Sequence, residues 1–231
     1  MRNQYRLLFI TAFMALSLGT GCAPSSNPGL DASPEQASPA MLSGTKILAQ
    51  GNQRFIDGAA EHQNQDQARL KKVSAGQAPH TAILACSDSR VPPEVIFDQG
   101  LGDLFVVRTA GEVADSAAVA SLEYAIAELH TKTLLVLGHS KCGAVRAAME
   151  TPPAKSLGTK DLDQLMASIR PNIKGYSNVN ELPAAAKAQV NAVAAELVKR
   201  SPIISEAKSS GEVRILKGIY DLDTGAVETW Q

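Results

Sequence analysis

The sequence predicts an α/β domain with a central, mostly parallel β-sheet flanked by helices, and three observations carry that prediction. First, three short runs rich in aliphatic and β-branched residues, Thr81–Ala85, Leu104–Arg108 and Thr133–Leu137, have the length and composition of buried strands. Second, each run is followed by a segment patterned as a helix, and strand–helix–strand order requires right-handed crossovers between parallel strands. Third, two of the runs end directly in polar, chemically capable residues, Cys86-Ser-Asp88-Ser-Arg90 and His139-Ser-Lys-Cys142-Gly143. In parallel sheets the carboxyl ends of strands are where ligands bind.

The chain has 231 residues, 45% of them hydrophobic, 19% charged, and a net charge of −1. One domain with a sizeable core is the expectation. Neither the charge nor the sparse aromatics suit a nucleic-acid partner. Three cysteines, Cys22, Cys86 and Cys142, are too few for a disulfide scaffold.

Residues 1–22 read as a signal peptide: Arg2 and Arg6 precede an apolar stretch from Leu7 to about Leu18, and Gly19-Thr-Gly21 lead into Cys22. Cys22 resembles the lipidated cysteine of bacterial lipoproteins, although Leu18 lies one position further from it than the usual leucine. Cleavage after Ala23 and an uncleaved anchor are the alternatives. Each of them exports the domain, to the periplasm or cell envelope. Residues 23–40 hold almost no large apolar side chain and read as a disordered linker. The folded domain is expected over 41–231, with helix onset near Ser38-Pro39 and a polar helical segment from Glu61 to Lys72.

Within the domain, Val91–Phe97 reads as a short helix opened by prolines. Asp115–His130 places Val119, Leu122, Ile126 and Leu129 at helical spacing, and Gly143–Met149 starts another helix. Leu162–Arg200 looks helical, interrupted at Pro171 and Pro183, with a packing and subunit-contact role. Val213–Tyr220 and Ala226–Trp230 are terminal strands joined by a turn at Asp223-Thr-Gly225.

Cys86, His139 and Cys142 offer two thiolates and an imidazole, a donor set suited to Zn2+ with an open fourth position. A zinc finger is disfavoured because its ligands come in close pairs. A cysteine phosphatase is excluded: five residues separate its nucleophile from its arginine, whereas three separate Cys86 from Arg90, and Asp88 would repel phosphate.

These paired motifs resemble the β-class carbonic anhydrases, in their plant-type subfamily. The likeness extends to Leu48–Phe55 with its Gly51-Asn52 pair, Gly102–Arg108 and Ser121–Ala125. The resemblance implies zinc-dependent, reversible hydration of carbon dioxide to bicarbonate and a proton through zinc-bound hydroxide, and activity that rises with pH through the mildly alkaline range. It implies Cys86, His139 and Cys142 as zinc ligands. Asp88 is implied as catalytic partner of Arg90 and, when that pair breaks, as fourth ligand. It also implies Gln77, Phe105, Tyr124 and the Gly143 N–H as substrate-binding groups, and a homodimer or higher homo-oligomer in which N-terminal helices pack on the partner. The bicarbonate-regulated subfamily carries tryptophan where this chain has Ile83, although Arg108 and Tyr124 of its regulatory site are present. Hydrolysis of carbonyl sulfide or carbon disulfide, or a non-catalytic structural zinc site, are the alternatives. His62, His80 and His130 read as surface or structural residues.

Overall fold

A computed structural model describes residues 39–231, so the expected signal peptide, Cys22 and most of the expected linker lie outside the described residues. The described elements run in the order α1 (Pro39–Ile56), α2 (Gln67–Val73), β1 (Thr81–Cys86), α3 (Pro93–Ile96), β2 (Leu104–Thr109), α4 (Ser116–Ala127), β3 (Thr133–His139) and α5 (Gly143–Glu150). After these come α6 (Lys160–Ile169), α7 (Leu182–Arg200), α8 (Pro202–Ser209), β4 (Arg214–Tyr220) and β5 (Val227–Trp230).

The strands form one sheet in the order β2-β1-β3-β4-β5. The first four are parallel to their neighbours, and β5 pairs antiparallel with β4. β1 and β3 are buried along their whole length, which is why they read as continuous apolar runs without alternation. Successive side chains still point to opposite faces. Ala82, Leu84, Leu134 and Val136 meet Leu122 and Ile126 of α4, Val190 and Leu197 of α7, and Ile204 of α8. Ile83, Ala85, Leu135 and Leu137 meet Leu48 of α1 and the α3 segment through Ile96 and Phe97.

The Gly51-Asn52 pair has a packing explanation. A Cβ on Gly51 would stand 1.8 Å from the Phe97 carbonyl oxygen, so only glycine lets α1 approach the end of α3. Asn52 is buried and fully used: its amide donates to Ile96 O (3.2 Å) and Gly225 O (2.8 Å), and its carbonyl accepts from Val227 N (2.9 Å). One side chain thereby ties α1 to α3 and to the β4–β5 turn.

The polar segment at 61–72 is helical only from Gln67. His62 and Asn64 take left-handed backbone angles (φ 52° and 59°), and the buried Asp98 carboxylate accepts the N–H groups of Glu61 and His62 together with Arg54 Nε. A loop pinned to a carboxylate has replaced the first helical turns. Pro183 opens α7 rather than interrupting it, and α7 is a core helix with Leu182, Ala185, Val190, Val193 and Leu197 buried. The sequence reading passed over α8, although Ser201-Pro202 is a helix start: Ser201 Oγ accepts Ile204 N at 3.1 Å. Leu129 lies beyond the end of α4 and is half-buried.

Candidate metal centre

The parallel pairing of β1 with β3 brings their carboxyl ends side by side, and so delivers Cys86 and His139 to one place. Cys142 follows on the turn after β3, immediately before α5, where Lys141 adopts φ 59° to reverse the chain. The two sulfurs and a histidine nitrogen all lie within 4.8 Å of one another, and all three residues are buried. Ligand atoms around tetrahedral zinc are about 3.3–4 Å apart, so the cluster needs only a small contraction to close on the ion.

The histidine itself shows which atom waits for a metal. His139 Nδ1 lies 2.8 Å from the Ser140 carbonyl oxygen, which can only accept, so Nδ1 carries the proton. That leaves Nε2 as a lone-pair donor, and it is buried with no hydrogen-bond partner. An orphaned imidazole nitrogen facing two sulfurs fits zinc.

One of the two sulfurs, that of Cys86, is disposed to be a thiolate. Gly111 N–H donates to Cys86 Sγ at 3.3 Å. The hydrogen bond from Cys142 holds the Cys86 thiol well below its ordinary range against the opposing effect of burial, and His139 and the backbone add to this. The same bond, with burial, pushes the Cys142 thiol up. A cation entering the cluster favours the thiolate form of both sulfurs.

Asp88 and Arg90 form a forked pair: Nε to Oδ1 at 2.9 Å and Nη2 to Oδ2 at 2.7 Å, with the Arg90 N–H on Oδ1 at 3.0 Å. The Arg90 side chain beside Asp88 holds this carboxyl far below the usual range, so it is ionised. Asp88 Oδ2 lies 3.8 Å from His139 Nε2, at the edge of the cluster, but both its oxygens are taken by Arg90. Arg108 supports the loop from below, donating to the carbonyls of Cys86 and Asp88.

The other predicted groups fare differently. Open space lies in front of Gly143, where a Cβ would meet nothing within 4 Å. Phe105 and Tyr124 pair with each other at 6.3 Å between ring centroids, with Tyr124 half exposed, and neither has a ring contact or hydrogen bond to the cluster. Gln77 is exposed on the loop before β1. His80 is structural, bonded to Thr81 Oγ1 and Gln99 Oε1.

Sequence reasoning missed two buried residues behind the centre. Gln189 of α7 donates to Gly111 O at 2.9 Å and accepts from Asn172 at 3.0 Å, fixing the turn whose N–H serves Cys86. Glu112, next in that turn, is buried at φ 44° with Oε2 unpartnered, and burial raises its pKa well above the ordinary carboxyl range. Gly138 makes room for it, since a Cβ there would stand 3.2 Å from Glu112 Oε1. A glutamine in the apolar stripe of α7 was the one available signal; Glu112 offered none.

Comparison with known proteins agrees with this geometry. Residues 81–227 match the family described as Carbonic anhydrase. Carbonic anhydrase 2 of Mycobacterium tuberculosis is 40% identical over 78% of this chain and 88% of its own length. The carbonic anhydrase of Mycolicibacterium smegmatis is 37% identical over 79% and 90%. Among solved structures, the Coccomyxa β-carbonic anhydrase superposes with a TM-score of 0.64 at 26% identity, over 78% of this chain and 82% of that one.

Proposed function

The chain belongs to the β-class carbonic anhydrases, and we propose that it performs the family's reaction, the interconversion of carbon dioxide and bicarbonate, with the residues gathered at the ends of β1 and β3. The observation that carries the reading is the Cys86–His139–Cys142 cluster with the forked Asp88–Arg90 pair at its edge. Bound at the cluster, zinc supplies a Lewis acid that makes water nucleophilic near neutral pH. Cys86, Cys142 and His139 Nε2 would hold the ion. Asp88, ionised, accepts a hydrogen bond from the attacking water and so aims its lone pair at the carbon of the substrate. Arg90 keeps Asp88 in that role; a carboxylate released by Arg90 would be free to serve as a further ligand. The Gly143 N–H is assigned to bicarbonate, and the open space beside Gly143 is consistent with that.

Gln77, Phe105 and Tyr124 are assigned to substrate binding at a subunit interface, which is consistent with their lying on exposed or half-buried surface in the single chain. α1 and α2 would pack on the partner of a homodimer, and α2 has no buried residue of its own to hold it to this chain. Export rests on the order of Arg2, Arg6, the apolar stretch and Cys22, which support a signal peptide over residues 1–22, lipidation at Cys22 and a linker to residue 40.

The test is stopped-flow hydration of carbon dioxide by protein of known zinc content, beside Asp88→Ala and Arg90→Ala at matched zinc. Rapid turnover that depends on zinc and is lost in both variants is expected. One tightly held zinc per chain without turnover would contradict the proposal.

A further inference from the structure

We propose that a depression on the outer face of α6 binds a phosphate group, at a place distinct from the metal centre. α6 has two faces with different duties. Met166 and Ile169 point inward, into the apolar cluster that contains Cys86 and Cys142. Lys160, Gln164 and Ala167, spaced four and three residues apart, line up on the other side. The loop from Thr151 to Thr159 folds back toward this face and leaves a depression of about 550 Å³ between loop and helix, with Arg170 among its lining residues.

The charge in the depression is one-sided. Lys155, Lys160 and Arg170 line it, against a single acid, Asp163. Asp163 is already occupied: Ser156 Oγ–H donates to one of its oxygens and Leu157 N–H to the other, both at 2.7 Å. Among the described residues Lys155 and Lys160 are in no ion pair, and Arg170 makes no direct one, although its charge helps to hold the Asp163 carboxyl below its ordinary range. Arg170 lines the depression, and its Nε is buried with no hydrogen-bond partner among the described residues. Three cations against one occupied carboxylate leave a local excess of positive charge on a chain whose net charge is −1.

An oxyanion carrying two negative charges matches this excess better than a monoanion such as bicarbonate. Guanidinium and ammonium groups converging on one hollow are the usual recognition elements for phosphate. The depression is open to solvent and wider than inorganic phosphate needs, so it leaves room for a phosphate carried on a larger body. Two sources share that chemistry, a soluble phosphate ester and an anionic phospholipid headgroup.

The experiment titrates pyrophosphate into the zinc-loaded protein by calorimetry and follows backbone amide shifts. Lys155→Met, Lys160→Met and Arg170→Met are run alongside; the two lysines are exposed, so their variants keep the fold. Saturable binding with shifts at Gln164 and Ala167, weakened about tenfold or more in the lysine variants, is expected. No saturation by about 10 mM, binding unaffected by either lysine substitution, or shifts confined to the Asp88–Arg90 loop would each overturn the proposal. A second arm, on a Cys22→Ser background that removes any lipid anchor, sediments the protein with anionic or zwitterionic phospholipid vesicles. Lysine-dependent binding to anionic vesicles, displaced by pyrophosphate, assigns the hollow to a headgroup. Pyrophosphate binding without vesicle binding assigns it to a soluble ester.

Discussion

Replacing Gln189 by leucine tests whether the metal centre is held from behind. The residue is completely buried in α7, and leucine of similar size preserves the packing while deleting both of its hydrogen bonds, to Gly111 O and from Asn172. Two net hydrogen bonds at ~1 kcal/mol each, plus a penalty of ~1–2 kcal/mol for the buried Gly111 carbonyl left without its donor, give a loss of about 3–4 kcal/mol. Because the Gly111 N–H serves the Cys86 sulfur, the loosened turn should also weaken zinc binding, by ~10-fold or more, as removing a ligand's supporting partner does. Urea unfolding of the zinc-loaded protein measures the first, and competition with a chromophoric chelator the second. Gln189→Glu sharpens the test. A carboxylate facing a carbonyl oxygen is worse than leucine at neutral pH, and burial raises its pKa above the unfolded value. Its protonated form can donate again, so the deficit relative to wild type should shrink as pH falls toward about 5. A leucine variant within ~0.5 kcal/mol of wild type with unchanged zinc affinity would refute the reasoning.

Asp98→Asn should cost about 3 kcal/mol at neutral pH, since it breaks a pair whose carboxylate is fully buried and sets an amide against Arg54. The folded carboxyl of Asp98 lies below its ordinary pKa, so its contribution is complete above the unfolded value and fades as pH falls below about 4; unfolding curves for both proteins should converge there. Chelating the zinc in air should join Cys86 and Cys142 as a disulfide, with oxygen taking the two electrons and two protons leaving. Thiol titration should then fall by two per chain, and zinc restore activity only after reduction; equal recovery by zinc alone counts against it. Arg90→Lys should lower carbon dioxide hydration ~10-fold or more at unchanged zinc content, because an ammonium cannot grip both oxygens of Asp88; wild-type turnover would show that the fork is dispensable.

The metal centre was legible in the sequence because its ligands sit where the local pattern changes, at the ends of two buried strands. Once β1 and β3 are neighbours, Cys86 and His139 have to meet. Asp88 and Arg90 were legible for a similar reason: two residues apart in one short loop, they are joined by backbone geometry as well as by charge. What supports the centre was not legible, because it arrives over long sequence separations. Gln189 reaches Gly111 across 78 residues, and its place in the apolar stripe of α7 marks it as buried without naming its partner. Glu112 is harder still, since its buried carboxyl depends on a left-handed backbone angle and on the missing side chain of Gly138 on another element. The segment from Glu61 failed for the converse reason. Its composition permits a helix, but the Asp98 carboxylate, some 36 residues further along, gives two backbone N–H groups a charged acceptor that the neutral carbonyls of a helix cannot match. Local pattern therefore located the ligands, while the polar groups that orient them are set by pairings that only the folded sheet creates.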